Sequence, residues 1–196
     1  MIKRKTHYQS PLAYYQIGEA LRDFIKENTV IICIGTDKCI GDCLGPLVGT
    51  LLEASLFPLP IYGTISSPIH ALNINKRLDE INSLHPNACI LGIDACLGDL
   101  NSIGEIHTRD YAIRPGKGVG KSLPKVGIAS IIGIVDSSEN SDFFSSRSIR
   151  LSLILDMARV ITKGILYSYT INNNIDISLW NINIKLIKKD CISIIF

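Results

Sequence analysis

The sequence predicts an α/β fold, a three-layer α/β/α sandwich around a mostly parallel β-sheet. Short apolar runs rich in β-branched residues alternate along the chain with segments whose apolar residues recur at helical spacing. Hydrophobic residues fill 46% of the 196 positions and charged residues 19%, a balance that supplies a sizeable core. At this length we expect residues 1–196 to form a single domain.

The first half of the chain predicts a repeated helix and strand order. Pro46 suits the first turn of a helix, and the apolar runs before and after that helix have the length of buried strands. The predicted elements are a helix over 10–27, a strand over 29–35, a helix over 46–56, a strand over 61–65, a helix over 70–84 and a strand over 88–95.

The second half predicts an edge strand over 103–109, a Gly-rich loop over 115–127 and a strand over 128–136. A polar connector over 137–148 then leads to a long helix over 149–169. We place the domain core at 28–168. Residues 170–196 alternate Ile and Leu with Asn and Lys, a pattern that fits one or two extra strands, a tail or a homo-oligomer contact equally well.

Composition excludes several classes of function. The formal charge is only +2 and the basic residues are scattered, so we expect no nucleic-acid partner. No stretch approaches the roughly 18 apolar residues of a membrane span, and no secretory signal pattern opens the chain, which indicates a cytoplasmic protein. The six cysteines lack the spacing of zinc knuckles, so we expect neither a metal nor a cofactor.

The stretch RPGKGVGKSLPK at 114–125 looks like a phosphate-binding P-loop but fails its spacing. Pro115 stands where the motif needs its first glycine, and little room for a helix follows Ser122. We therefore expect a cationic loop that contacts substrate. Its predicted substrate-binding residues are Gly116, Lys117, Gly118 and Gly120.

Two aspartates lie at the carboxyl ends of neighbouring predicted strands. Asp42 lies in GTDKCIGDCLGP at 35–46, and Asp94 directly follows the apolar run ACILGI. Since reactive groups collect at the carboxyl ends of parallel strands, we expect the two side chains to meet if these strands are adjacent. Two close carboxyls do not both ionise easily, so one keeps a proton while the other takes one from water. The alternative is that Asp42 only caps the next helix.

Two further polar residues are predicted to line the same rim and bind substrate. Asp37 lies in the same loop as Asp42, and His70 opens the predicted helix over 70–84. A histidine in a first turn is more commonly a surface or capping residue, and this alternative stays open. The chain has no G-x-S-x-G elbow, which argues against a serine hydrolase of the α/β type.

Four separated motifs give the chain a family resemblance over roughly residues 28–168: GTDKCIGDCLGPLVG, YGTISSPIHALN, GIDACLG and PGKGVGKSLPKVGIASIIGIVD. In this order they resemble the sporulation protein family called spore protease YyaC. That family is similar to the germination protease and, more remotely, to the hydrogenase maturation endopeptidases. Residues 41–46 match a Pro-Asp-Ala-Leu-Gly-Pro segment of the germination protease, 93–95 match its Ile-Asp-Ala, and 115–120 match its Pro-Gly-x-Gly-Val-Gly.

The resemblance implies a phosphorylase/hydrolase-like three-layer fold and an aspartate-dependent endopeptidase. It assigns Asp42 and Asp94 as the catalytic residues. It also implies protein or peptide substrates, such as the small acid-soluble spore proteins, and a place in the forespore or spore core.

The chain also departs from these relatives. It is much shorter than the germination protease, and Arg114 stands where that enzyme has a histidine. The hydrogenase maturation enzymes add a downstream histidine to bind metal in their substrate, and His107 matches that histidine poorly. A catalytically silent relative that binds a peptide or protein, and a metal-recognising endopeptidase, are the alternatives to a peptidase of the germination-protease type.

Overall fold

The computed structural model of the protein describes residues 2–116, 123–138 and 149–175. Within them, the strands are β1 (Ile2–His7), β2 (Thr29–Cys33), β3 (Ile61–Tyr62), β4 (Cys89–Gly98), β5 (Glu105–Arg109) and β6 (Ala129–Ser137). They form one sheet in the order β1-β5-β6-β4-β2-β3. Strands β6, β4, β2 and β3 run parallel, and β5 is antiparallel to both of its neighbours.

Helices cover both faces of this sheet. They are α1 (Ala13–Leu21), α2 (Leu44–Ala54), α3 (Ile74–Leu84) and α4 (Leu151–Asn172). Successive strand side chains point to opposite faces. Accordingly, Ile31 packs in a core with α1, α2 and α4, whereas Ile32 packs in a second core with α3. The protein therefore has the predicted three-layer α/β/α fold.

The predicted elements occur in the predicted order, with shifted ends. The helix predicted from residue 70 begins at Ile74, because the Asn73 side-chain oxygen accepts the backbone N–H of His70 and holds residues 70–73 in a turn. Helix α4 runs to Asn172, into the stretch that the sequence assigned to the tail. The rest of that tail, 176–196, lies outside the described residues.

Strand β1 has no counterpart in the sequence prediction. No element was predicted over these residues, yet the strand pairs with β5 along its length and buries Thr6. Arg4 and Lys5 are both exposed, so the stretch lacks the alternation of apolar and polar residues that marks a strand. Because β1 covers β5, the predicted edge position of β5 is wrong.

The connections of the sheet diverge between β2 and β4. From β2 the chain passes through α2 to β3 on one side, whereas from β4 it continues to β5 and β6 on the other. Open α/β sheets hold their ligands at such a switch point, outside the carboxyl ends of the strands. Among the residues that the structure describes, we find no helix with the length and apolarity needed to traverse a bilayer.

Candidate active site

Asp42 lies in the loop that leaves β2, at the end of a 3₁₀ turn, Ile40–Asp42. Its carbonyl oxygen accepts the backbone N–H of Thr36 at 3.1 Å, which folds the loop back towards the end of β2. Gly35 permits this fold, because its φ of 138° lies in the left-handed region and a β-carbon there would collide with the Asp42 carbonyl. The glycine of the loop thus fixes where Asp42 lies.

Asp42 does not cap a helix, so the capping alternative raised by the sequence is wrong. The N-cap of α2 is Cys43, and no side chain caps that helix by a hydrogen bond. Burial instead raises the pKa of the Asp42 carboxyl to about 6, and the backbone N–H of Thr36 opposes the rise. A carboxyl with this pKa is mostly ionised at pH 7 and still accepts a proton readily.

Asp94 lies inside β4, as in the strand predicted over 88–95, but that strand ends later than predicted. The strand continues to Gly98 beside β6, where Asp94 pairs with Ile132. Its ladder with β2 stops at the pair Cys33 and Ile93, one residue before Asp94. The apolar run therefore marks the part of β4 that has a strand on both sides. Asp94 begins the part whose β2 side adjoins the 3₁₀ turn that carries Asp42.

The surroundings of Asp94 favour its protonated form. Burial is the largest cause that raises the pKa of its carboxyl well above the usual range, and the negative charge of Asp42 raises it further. The backbone N–H of Ala95, which donates to Asp94 Oδ1 at 2.9 Å, and the charge of Arg109 oppose the rise. The residue keeps some solvent exposure.

The structure thus brings together the two aspartates that the sequence singled out. Their pKa values are both raised, but Asp94 feels the charge of Asp42 in addition to its own burial. Of the two carboxyls, Asp94 therefore has the stronger tendency to hold a proton, with burial and then the charge of Asp42 as the causes. Such a pair contains a general base and a general acid next to each other.

The other predicted rim residues are nearby but play no visible part in this pair. Asp37 is exposed, and its carboxylate accepts a bond from the Thr36 hydroxyl at 3.5 Å. His70 follows Ile69, whose carbonyl accepts the N–H of Gly35, so the histidine backbone adjoins the same loop. Neither Asp37 nor His70 is among the causes that shift the pKa of either aspartate.

Only the base of the predicted substrate loop is described. Gly116 occupies a turn with a φ of 88°, whereas Lys117, Gly118 and Gly120 lie outside the described residues. At the base, Ile113 pairs with Val126, and a β-carbon on Gly92 would come within 2.8 Å of Ile113. Since Gly92 precedes Asp94 by two positions on β4, the loop is anchored on the face from which Asp94 projects.

Sequence reasoning missed a polar row on β5. Glu105, His107 and Arg109 alternate with Ile106 and Thr108, and the register places His107 in one row with Ile132 and Asp94. This row therefore faces the same side of the sheet as Asp94. The period-two pattern of the segment EIHTR was the signal that could have identified it.

Two of these β5 residues satisfy each other. His107 Nε2 lies 2.7 Å from Glu105 Oε2, and this contact is the largest cause that lowers the pKa of the Glu105 carboxyl. His107 is thereby held beside Glu105 and not beside the aspartate pair. Across 2–116, 123–138 and 149–175, no three His, Cys, Asp or Glu residues are grouped so that they could hold a metal ion.

Comparison with known proteins gives a family match and a similar relative. The family described as "Protein of unknown function (DUF1256)" matches residues 5–164. The "Uncharacterized protein YyaC" of Bacillus subtilis (strain 168) is 40% identical over 150 residues, which cover 76% of this chain and 73% of that relative. The family match spans the loop of Asp42, strand β4 and strand β5.

Proposed function

The chain belongs to the family described as "Protein of unknown function (DUF1256)", and we propose that it is an aspartate-dependent endopeptidase that hydrolyses peptide bonds in spore proteins. The motifs around Asp42 and Asp94, which resemble those of the germination protease, support this activity and its substrate class. We extend the proposal to small acid-soluble spore proteins as substrates and to the cytoplasm of the forespore or spore core as its location.

One observation carries the proposal: the two aspartates are close enough for the charge of Asp42 to raise the pKa of Asp94. A buried carboxyl without a counter-ion destabilises a fold, and a second carboxyl beside it adds to that cost. Strongly perturbed pKa values of this kind cluster at functional sites. The position of the two aspartates at the switch point of the sheet supports the same conclusion.

In the proposed reaction, water is the nucleophile. The carboxylate of Asp42 takes a proton from the water as its oxygen bonds to the carbonyl carbon of the peptide. The carboxylic acid of Asp94 gives its proton to the amide nitrogen as the bond between carbon and nitrogen breaks. The products are a carboxylic acid and an amine, Asp42 is left protonated, and Asp94 is left ionised until the two exchange the proton.

Substrate binding in this proposal uses groups around the aspartate pair. The backbone of Gly116, Gly118 and Gly120 would approach an extended peptide closely, because glycines carry no side chain. Lys117 would supply the positive charge of that loop. Asp37, in the loop after β2, and His70, whose neighbour Ile69 accepts the N–H of Gly35 in that loop, would contact the peptide from the opposite side.

The proposal is tested with purified spore proteins as substrates and cleavage followed by mass spectrometry. We expect the wild-type protein to cut, and Asp42→Asn and Asp94→Asn each to lower kcat/KM by 10³-fold or more, since each removes one proton carrier. Asp79→Asn, an aspartate on α3, is the matched control and should retain wild-type activity. Activity should also persist with a chelator present.

Two other outcomes would replace the proposal. If wild type and both variants are equally inactive but bind the spore proteins, the chain is a silent binding relative. If chelation abolishes cleavage by the wild-type protein, the metal-recognising alternative gains support and the shared-water mechanism is wrong.

A further inference from the structure

Strand β1 is the last strand at one end of the sheet, and β5 is the strand that pairs with it. In an antiparallel pair, successive residues turn their backbone groups alternately towards the neighbour and away from it. The Tyr8 N–H donates to the Gly104 carbonyl at 3.0 Å, directly after the ladder. Residues in step with Tyr8 therefore face β5, and the Arg4 carbonyl accordingly accepts the Thr108 hydroxyl at 3.4 Å. The backbone N–H and C=O of Lys5 point away from the sheet.

His7 has the same orientation as Lys5. Its carbonyl accepts the N–H of Ser10 at 2.9 Å in the turn after β1, outside the ladder with β5. The outer side of β1 thus presents the N–H and C=O of Lys5 and the N–H of His7, none of which pairs within the described ladder. Backbone groups exposed in this way on an edge strand are the template on which an extended peptide adds to a sheet.

The side chains of this edge are positively charged on both faces of the sheet. Arg4 and Lys5 are exposed, and because they are consecutive they point to opposite faces. Across 2–116, 123–138 and 149–175, neither takes part in an ion pair. Glu105 of β5 faces the same side as Lys5, but it is held by His107 at 2.7 Å. The two cations therefore remain available to a bound molecule.

These cations decide what the edge accepts. Lysine on an edge strand opposes pairing with a second copy of that strand, because like charges would lie opposite each other. The same cations favour a strand with acidic side chains. Since Arg4 and Lys5 are consecutive, the complementary strand has acidic residues at consecutive positions. A nucleic-acid backbone would meet the charges, but its phosphates supply no donor for the Lys5 carbonyl.

We propose that the outer edge of β1 binds an extended acidic segment of a partner protein. The segment adds to the sheet as a further strand, hydrogen-bonded to the backbone of Lys5, with consecutive Asp or Glu residues against Arg4 and Lys5. This interaction is separate from the proposed peptidase activity, because β5 and β6 lie between β1 and the strand that carries Asp94.

The test uses fluorescence anisotropy with a labelled peptide of about eight Thr and Val residues that has two adjacent Glu residues at its centre. We expect it to bind about tenfold more tightly than matched peptides with Gln or Lys there, and the difference should shrink as salt is added. Arg4→Glu combined with Lys5→Glu should reverse the preference towards the Lys peptide. Lys26→Glu combined with Lys76→Glu, at two exposed lysines elsewhere, is the matched control and should keep the wild-type preference.

A second readout on the wild-type protein separates strand addition from attraction of charge alone. Bound Glu peptide should slow hydrogen exchange of the Lys5 and His7 amides about tenfold or more and leave that of Thr6, in the ladder with β5, unchanged. A proline at the centre of the peptide should abolish binding. Equal binding of the Glu and Gln peptides, or unchanged exchange at Lys5 with saturating Glu peptide, would overturn the inference. Tighter binding of a single-stranded oligonucleotide to this edge would overturn it in favour of a nucleic-acid partner. Neither result bears on the peptidase proposal.

Discussion

Asp94 in β4 and Glu105 in β5 lie on the same face of the sheet with only β6 between them. Glu105 has a partner for its charge, since His107 lies 2.7 Å away and lowers the pKa of the carboxyl. Asp94 is buried near the charge of Asp42, and both of these raise the pKa of its carboxyl. The comparison teaches that position on the face does not decide the chemistry of a carboxyl. What surrounds the carboxyl decides it: a cationic partner lowers the pKa of Glu105, whereas burial and a neighbouring carboxylate raise the pKa of Asp94.

The largest effect on activity is expected when the glycine that positions Asp42 is substituted. A glycine next to β5 provides the comparison. Gly35 and Gly104 both have positive φ, and a β-carbon on either would clash, with the Asp42 carbonyl or with the rings of His7 and Tyr8. Each change to alanine should destabilise the fold by about 2 kcal/mol or more. Only Gly35→Ala should also lower kcat/KM, by 100-fold or more, because it moves Asp42.

Urea unfolding and peptide cleavage measure these two effects side by side. The comparison between the regions breaks down if Gly35→Ala stays fully active while folded, or if Gly104→Ala, once shown to be folded, loses activity to the same extent.

The pH dependence of cleavage sharpens the comparison next. Asp42 must be ionised to take a proton from water, and its pKa is about 6. The value of kcat/KM should therefore rise about tenfold per pH unit below 6 and level off above it, until the ionisation of Asp94 lowers it again. Glu105→Gln should leave this profile unchanged. An acidic limb centred near 4 would show that Asp42 is not the base.

Stability should respond with opposite signs in the two regions. The folded-state pKa of Asp42 is raised from 3.8 to about 6, so the stability that its protonated form provides is lost as the pH rises through 6. Asp42→Asn should therefore stabilise the fold by about 2 kcal/mol at pH 7 and have no effect near pH 3. The wild-type protein and the variant are compared by urea unfolding at both pH values.

Glu105 supplies the opposite case for the same measurement. Its pKa is lowered in the folded state, so its contribution is present above its unfolded pKa and is lost as the pH falls through the folded one. Glu105→Gln should destabilise the fold at pH 7 by a few tenths to about 1 kcal/mol, as for a partly exposed pair. A gain of stability from Glu105→Gln, or a loss from Asp42→Asn, would contradict the account of either region.

Much of the fold follows from periodicity in the sequence, because buried parallel strands are apolar throughout and α3 and α4 each have a clear apolar side. Strand β1 could not be predicted in this way, because it is held by a ladder with β5, about 100 residues away in the chain. The aspartate pair was predicted from two strand exits, yet β4 continues beyond Asp94 to Gly98. A single sequence shows where an apolar run stops, but it does not show which neighbouring strand has ended there.

The central claim is that the carboxyl of Asp42 lies close enough to Asp94 for its charge to govern the proton there. Carbon-13 NMR titration of the Asp94 carboxyl, in wild-type protein and in Asp42→Asn, measures this directly. We predict that the raised pKa of Asp94 falls when the charge of Asp42 is removed, by about 1 pH unit for a close buried pair. An Asp94 pKa that is the same in both proteins would contradict the claim.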